Sequence, residues 1–115
     1  MNTFLSLSRP FVADHFHDLP GFVEERHGHN WEAEATFAVQ DPGEEAACSA
    51  ALDRWVAQVD YTLLNRQASL EGRNPTAELL AQWLFQFLET SGRAAVKVKV
   101  REKANYWAAC ARAES

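Results

Sequence analysis

The four histidines of the chain, His15, His17, His27 and His29, all fall within residues 15–29. Side chains two apart on a strand share a face, so His27 and His29 would project in parallel, with Gly28 leaving space between them. A strand paired with that segment would present His15 across from them. Three neutral imidazoles suit Zn(II), and three protein ligands leave a fourth position open for chemistry. His17 has the same parity as His15 and is the substitute ligand if the register differs. Asp14 or Asp18 is a candidate to orient a ligand through its second ring nitrogen. The competing reading, surface histidines on a hairpin, leaves the clustering without a cause.

The elements that must hold this cluster are legible from periodicity. Apolar and polar residues alternate between Phe4 and His17 and again from His29 to Val39, which predicts two strands forming a hairpin. The connection carries Asp18-Leu19-Pro20-Gly21, a turn signal. Cys48, Ala51, Leu52, Trp55, Val56 and Val59 recur at helical spacing. A second helix is expected to open at Asn74-Pro75, with Asn as cap and Pro in the first helical position, and to present Leu79, Leu80, Trp83, Leu84, Phe87 and Leu88. Val96, Val98 and Val100 alternate with Lys97, Lys99 and Arg101 as a half-buried strand, and Tyr106–Arg112 is read as the last. The order ββααββ predicts an α+β fold, a four-stranded antiparallel sheet with two helices on one face. The face left bare implies a homo-oligomer.

Bulk properties narrow the function. At 115 residues the chain is read as one domain, residues 1–115. The formal net charge of −5, without a basic run, argues against nucleic acid as a partner. No apolar run approaches the length of a membrane span, and the start Met1-Asn2-Thr3-Phe4 lacks the pattern of a signal peptide, so no membrane association and a cytoplasmic location are expected. Cys48 and Cys110 stand far apart and are read as buried, reduced packing residues.

Several segments resemble one known family. Phe11-Val12-Ala13-Asp14-His15 is similar to its Phe-x-Ala-x-His, and His27-Gly28-His29-Asn30-Trp31 to its His-Gly-His-Asn-aromatic segment. Val59-Asp60-Tyr61-Thr62-Leu63-Leu64-Asn65 is close to Leu-Asp-His-x-x-Leu-Asn, and Asn74-Pro75-Thr76-Ala77-Glu78 to Asn-Pro-Thr-x-Glu. Val98, Val100 and Glu102, with Trp107-Ala108, follow the final hairpin. Together they resemble the 6-pyruvoyltetrahydropterin synthase and 6-carboxytetrahydropterin synthase family.

The resemblance implies the tunnelling fold (T-fold), assembled as a trimer or a pair of trimers. It also implies zinc on His15, His27 and His29, and a pterin substrate, 7,8-dihydroneopterin or its triphosphate. By the same resemblance Glu102 would pair with the pterin amino and ring N–H groups, and Thr76 would help position the ring. Two departures bear on mechanism. The family's usual Cys, four residues before the first His of His-Gly-His, is here Val23; Glu24 resembles a variant subgroup in which Glu replaces that Cys. The relay His that follows Asp60 is here Tyr61, a poor base and a better proton donor. The implied catalytic set is therefore Glu24, Asp60 and Tyr61, with a 6-hydroxymethyl pterin as a product open to such a site. The competing readings are a zinc- and pterin-binding protein without turnover and a cupin-type metalloenzyme built on Gly21, His27, His29 and Glu34; the two predicted helices argue against the cupin.

Overall fold

The computed structural model describes residues 2–113 of the chain. The alternation read in the first half becomes two long antiparallel strands, β1 (Thr3–His15) and β4 (His27–Val39), paired in continuous register from Thr3↔Val39 to His15↔His27. The odd-numbered residues of both strands point to one side. There Phe11, Ala13, Trp31, Ala33, Ala35 and Phe37 are buried. Between the strands, β2 (Asp18–Leu19) and β3 (Phe22–Val23) form a small separate ribbon turned by Pro20 and Gly21. Gly21 takes φ 77°, the positive value that the second central residue of a type II turn requires.

β6 (Ala95–Lys103) pairs with β4, and β7 (Tyr106–Ala111) pairs with β6, both antiparallel. The inner face of this sheet is covered by α1 (Glu44–Val59), which packs mainly on β1 and β4, and α2 (Ala77–Thr90), which packs on β6 and β7. Cys48, Ala51, Leu52, Trp55 and Val59 of α1 are buried in the same core as Leu80, Ala81, Leu84 and Leu88 of α2. The class is α+β with both helices on one face.

Two features differ from the sequence-based expectation. The sheet has five strands, not four, in the order β5-β1-β4-β6-β7. After α1 the chain turns through Tyr61, at φ 58°, and lays β5 (Thr62–Leu63) parallel to the free edge of β1. A strand of that length carries no periodicity to read. Secondly, α2 opens at Ala77 with Thr76 as its cap, not at Asn74-Pro75. The Thr76 hydroxyl accepts from the Leu79 N–H at 3.1 Å, while the Asn74 amide is engaged with the backbone N–H and carbonyl of Asp18. The outer sheet face mixes polar contacts with the exposed side chains of Phe4, Val12 and Trp107. Ser6 meets Thr36 at 2.7 Å, Arg101 donates to Glu32 at 2.6 Å, and the Lys99 ammonium sits 4.6 Å from the centre of the Trp107 ring. No helix covers this face, as the sequence reading expected. Cys48 is buried and Cys110 half-buried; both are free thiols, and burial pushes both up from the ordinary thiol value.

Candidate active site and metal centre

At the end of the long hairpin the register sets His15 directly opposite His27, and His29 opposite Ala13 on the same inner side. The ring centroids lie 4.6 Å (His15–His27), 5.1 Å (His15–His29) and 4.7 Å (His27–His29) apart. One nitrogen from each ring falls in a group whose members all lie within 4.8 Å of one another. Trp31 forms the floor, edge-on to both His15 and His29, its indole N–H donating to the Ala13 carbonyl at 3.1 Å. At Gly28 a larger residue would displace the side chain of its neighbour across the strand. A Cβ there would stand 2.7 Å from Asp14 Oδ1.

The rings are aimed by backbone carbonyls. His15 Nδ1 lies 3.0 Å from the Pro75 carbonyl and His27 Nδ1 lies 2.9 Å from the Glu25 carbonyl, so with Nδ1–H donating, Nε2 of each is left free. Asp14 and Asp18 do not serve as orienters: the Asp14 carboxylate accepts from Arg26 at 2.7 Å, and Asp18 is held through its backbone by Asn74. No side-chain pattern announces a carbonyl partner, and the sequence reading missed both.

His15 is 1% exposed, and its Nε2 is buried without a hydrogen bond. Glu102 Oε1 stands 3.2 Å from that nitrogen but outside hydrogen-bond alignment. Burial pulls the His15 imidazole below its ordinary value, against the raising effects of the Pro75 carbonyl and of Glu102. Burial likewise lowers His29, with Glu102 again opposing. Neutral rings are the ligating form of histidine. A buried nitrogen with no partner, in a convergent set of three such rings, is what a bound Zn(II) would satisfy, and the donor set fits it.

The other residues singled out in the sequence fall into two groups. Glu24 and Glu102 belong to the cluster. Glu24 Oε1 lies 3.7 Å from His27 Nδ1 and is itself buried without a partner. The Glu102 side chain, 13% exposed, projects from the end of β6 on the same side as Val98 and Val100. Thr76 directly follows Pro75, whose carbonyl meets His15 Nδ1, and its hydroxyl caps α2, whereas Asp60 and Tyr61 are held elsewhere. Asp60 Oδ1 accepts from the Val12 N–H at 2.8 Å, the Tyr61 N–H donates to the Val12 carbonyl, and the Tyr61 side chain is 83% exposed. Val12 faces the outer side, three residues before His15, or about 10 Å along the strand. Glu34 also points outward, opposite Lys99, so the cupin set is not assembled, and the fold is not an all-β barrel.

A family profile described as 6-pyruvoyl tetrahydropterin synthase matches residues 5–113. The chain belongs to that family. The 6-pyruvoyl tetrahydropterin synthase from Caenorhabditis elegans superposes with a TM-score of 0.83 at 15% identity, over 98% of this chain and 97% of that one. The Plasmodium falciparum 6-pyruvoyl tetrahydropterin synthase gives 0.70 at 16% identity, over 96% and 98%. Two Plasmodium vivax structures, described as catalytic-residue mutants in which a glutamate is replaced by Cys and by Ala, each give 0.66 at 14% identity, over 97% and 98%. No curated protein sequence matches the chain. These likenesses give the chain the T-fold of the synthase structures, and membership gives it the setting of a pterin side-chain lyase.

Surface hollows elsewhere on the synthase fold are larger than they are reactive. One of about 290 Å³ lies between Ser69, Arg73, Gln82 and Trp83, and one of about 330 Å³ beside Asn2 and Gln40. Neither gathers the acid–base or metal-ligating groups that the hairpin end does. Among the described residues no helix is long and apolar enough to cross a membrane.

Proposed function

We propose that the chain is a zinc-dependent lyase acting on the side chain of 7,8-dihydroneopterin or its triphosphate. The observation that carries this is the meeting, at one end of the hairpin, of three histidines able to share one ion with two carboxylates, Glu24 and Glu102. Zinc held by His15, His27 and His29 would lower the pKa of the side-chain hydroxyls and offset the negative charge that develops.

Glu102, mostly buried at the end of β6, would accept from the amino and ring N–H groups of the pterin. Thr76 would position the ring in addition to capping α2. Glu24 is the proton acceptor. A carboxylate, with a reference pKa of about 4.3, is a weak base for a carbon-bound proton but adequate for a hydroxyl already acidified. Taking the proton from the outer of the two hydroxyls nearest the ring lets that oxygen's electron pair form a carbonyl. The bond between the two hydroxylated carbons breaks, its electron pair passes to the ring-side carbon, and that carbon takes up a proton. The products are a two-carbon hydroxyaldehyde fragment and a 6-hydroxymethyl pterin. The likeness to the Plasmodium vivax structures with an altered catalytic glutamate supports a carboxylate in this role. Asp60 and Tyr61, bonded to the backbone at the edge of β1, would supply the returning proton to the site of an adjoining copy in a trimer or hexamer.

Chromatography of products from dihydroneopterin and from its triphosphate tests this. A 6-hydroxymethyl product lost in Glu24→Gln supports the assignment. A 6-carboxy or 6-pyruvoyl pterin as sole product, indifferent to Glu24→Gln, refutes it, and zinc binding without turnover of either compound leaves the non-catalytic reading.

A further inference from the structure

One histidine remains without a role. His17 Nε2 is buried and has no hydrogen-bond partner, yet His17 stands outside the set of nitrogens that can share one ion. Its surroundings explain what it faces. In the ribbon of β2 and β3, Leu19 pairs with Phe22 and Asp18 with Val23. The next pair outward is His17 and Glu24, closed by the Glu24 N–H donating to the His17 carbonyl at 3.0 Å. Residues directly opposite in a hydrogen-bonded antiparallel pair have Cα atoms about 5.5 Å apart and side chains on the same face. That face is turned to the metal centre: the His17 ring lies edge-on to His15 at 5.2 Å, and Glu24 Oε1 lies 3.7 Å from His27 Nδ1.

Two buried, unpartnered polar atoms therefore belong to side chains that face each other across the ribbon without touching, a ring nitrogen able to donate and a carboxylate oxygen able only to accept, and a rotation of either side chain is what would join them. The backbone that carries His17 is fixed on both sides. The Asn65 side chain bonds both the N–H and the carbonyl of Phe16 (3.0 and 2.9 Å), and that of Asn74 does the same for Asp18 (2.8 and 3.2 Å).

We propose that His17 is a positioning residue for Glu24, its Nε2–H donating to one carboxylate oxygen and so leaving the other directed at the substrate. This rests on the lyase reading above and adds to it a residue that acts through Glu24, not on the metal or the pterin. Once made, that hydrogen bond would settle the carboxylate rotamer, and misplacing a reacting group by about 1 Å can cost about 100-fold in rate.

The test is a double-mutant cycle in the full-length, zinc-loaded protein. His17→Phe keeps the ring packing against His15 and removes the donor; His17→Gln restores an N–H donor on a flexible stem. His17→Phe is expected to lower kcat by about 10- to 100-fold with KM changed less than about twofold. Zinc content should be unchanged. His17→Gln should recover part of the loss, and against the trace turnover left by Glu24→Gln, followed in single-turnover assays at high protein concentration, His17→Phe should change the rate by less than about twofold. Equal losses in both backgrounds, loss of zinc, or no recovery with Gln would overturn the proposal. Should the wild type turn over no pterin, the lyase reading fails by itself, and the pair is read from thermal unfolding. Midpoint shifts of the two single variants that fall short of adding in the double variant support the contact; strict addition refutes it.

Discussion

Thr76 offers a perturbation in which a structural role and a binding role can be pulled apart. Its hydroxyl accepts from the Leu79 N–H at 3.1 Å, the only side-chain cap at the N-terminal end of either α-helix among the described residues. Thr76→Ala leaves that donor unpaired at a half-buried position, and loss of such a cap costs about 1 kcal/mol, with about 2 as the upper end. Thr76→Val keeps the shape of the side chain and should cost as much. Thr76→Ser keeps the acceptor and should stay within about 0.5 kcal/mol of wild type. For a chain of this size, 1 kcal/mol moves the thermal midpoint by about 4 °C. Urea and thermal unfolding should be compared at one protein concentration, since association shifts the apparent stability. If Ala and Val are no less stable than Ser, the cap contributes nothing and the reasoning fails. A separate contact to the pterin would show as a rise in KM for Ala and Val but not Ser, in excess of any change in the folded fraction.

Purified protein should carry about one zinc per chain, and His27→Ala should lose it while far-UV circular dichroism is retained; full activity after chelation would refute the metal assignment. Gly28→Ala forces Asp14 to leave Arg26, an ion pair with side chains 35% and 55% exposed that is worth about 0–1 kcal/mol, and returns about 0.5–1 from the lower entropy of Ala in a strand. Net stability measured in urea should therefore change by less than about 1 kcal/mol. Glu44 accepts from the Gln40 and Asp41 N–H groups (2.6 and 3.0 Å), and these bonds hold its carboxyl below the ordinary value. A carboxyl depressed in the folded state stabilises above its unfolded pKa and loses that contribution as pH falls through the folded value. Glu44→Gln should flatten the acid limb of the stability profile below about pH 4.5; an unchanged limb would show that the hydrogen bonds do not persist in solution.

How much could be read from the sequence follows from which groups carry a periodic or chemical signature. Parity alone put His15, His27 and His29 on one side of a hairpin, and the Val98–Val100 alternation extends to Glu102. The cap of α2 was misplaced by two residues because Asn74, Pro75 and Thr76 are all acceptable at a helix start, and only the competing bond from Asn74 to Asp18 decides between them. The strand β5 and the ribbon of β2 and β3 are too short for any alternation to show. The carbonyls of Pro75 and Glu25, which aim two of the rings, belong to residues whose side chains say nothing about them. Tyr61 was placed in the catalytic set by its position in a motif; its backbone, at φ 58°, serves the turn that starts β5, a role that depends on long-range pairing with Val12.

The amide clamps at Asn65 and Asn74 close the chain between them into a ring. Both ends are tied to Phe16 and Asp18, at most about 7 Å apart along the same stretch of backbone. Within that ring Glu71 and Gly72, both exposed and both at positive φ, form the tip. The cost of lengthening a flexible loop rises only with the logarithm of its length, about 0.6 kcal/mol for each doubling. An insertion between Glu71 and Gly72 would therefore be absorbed at the tip while both knots stay tied. The tip of this ring is thus a graft point for a peptide tag or a fluorophore, at the cost of the turn in which the Arg73 N–H donates to the Leu70 carbonyl at 2.9 Å, while the side-chain bonds of Asn65 and Asn74 to the reactive loop remain.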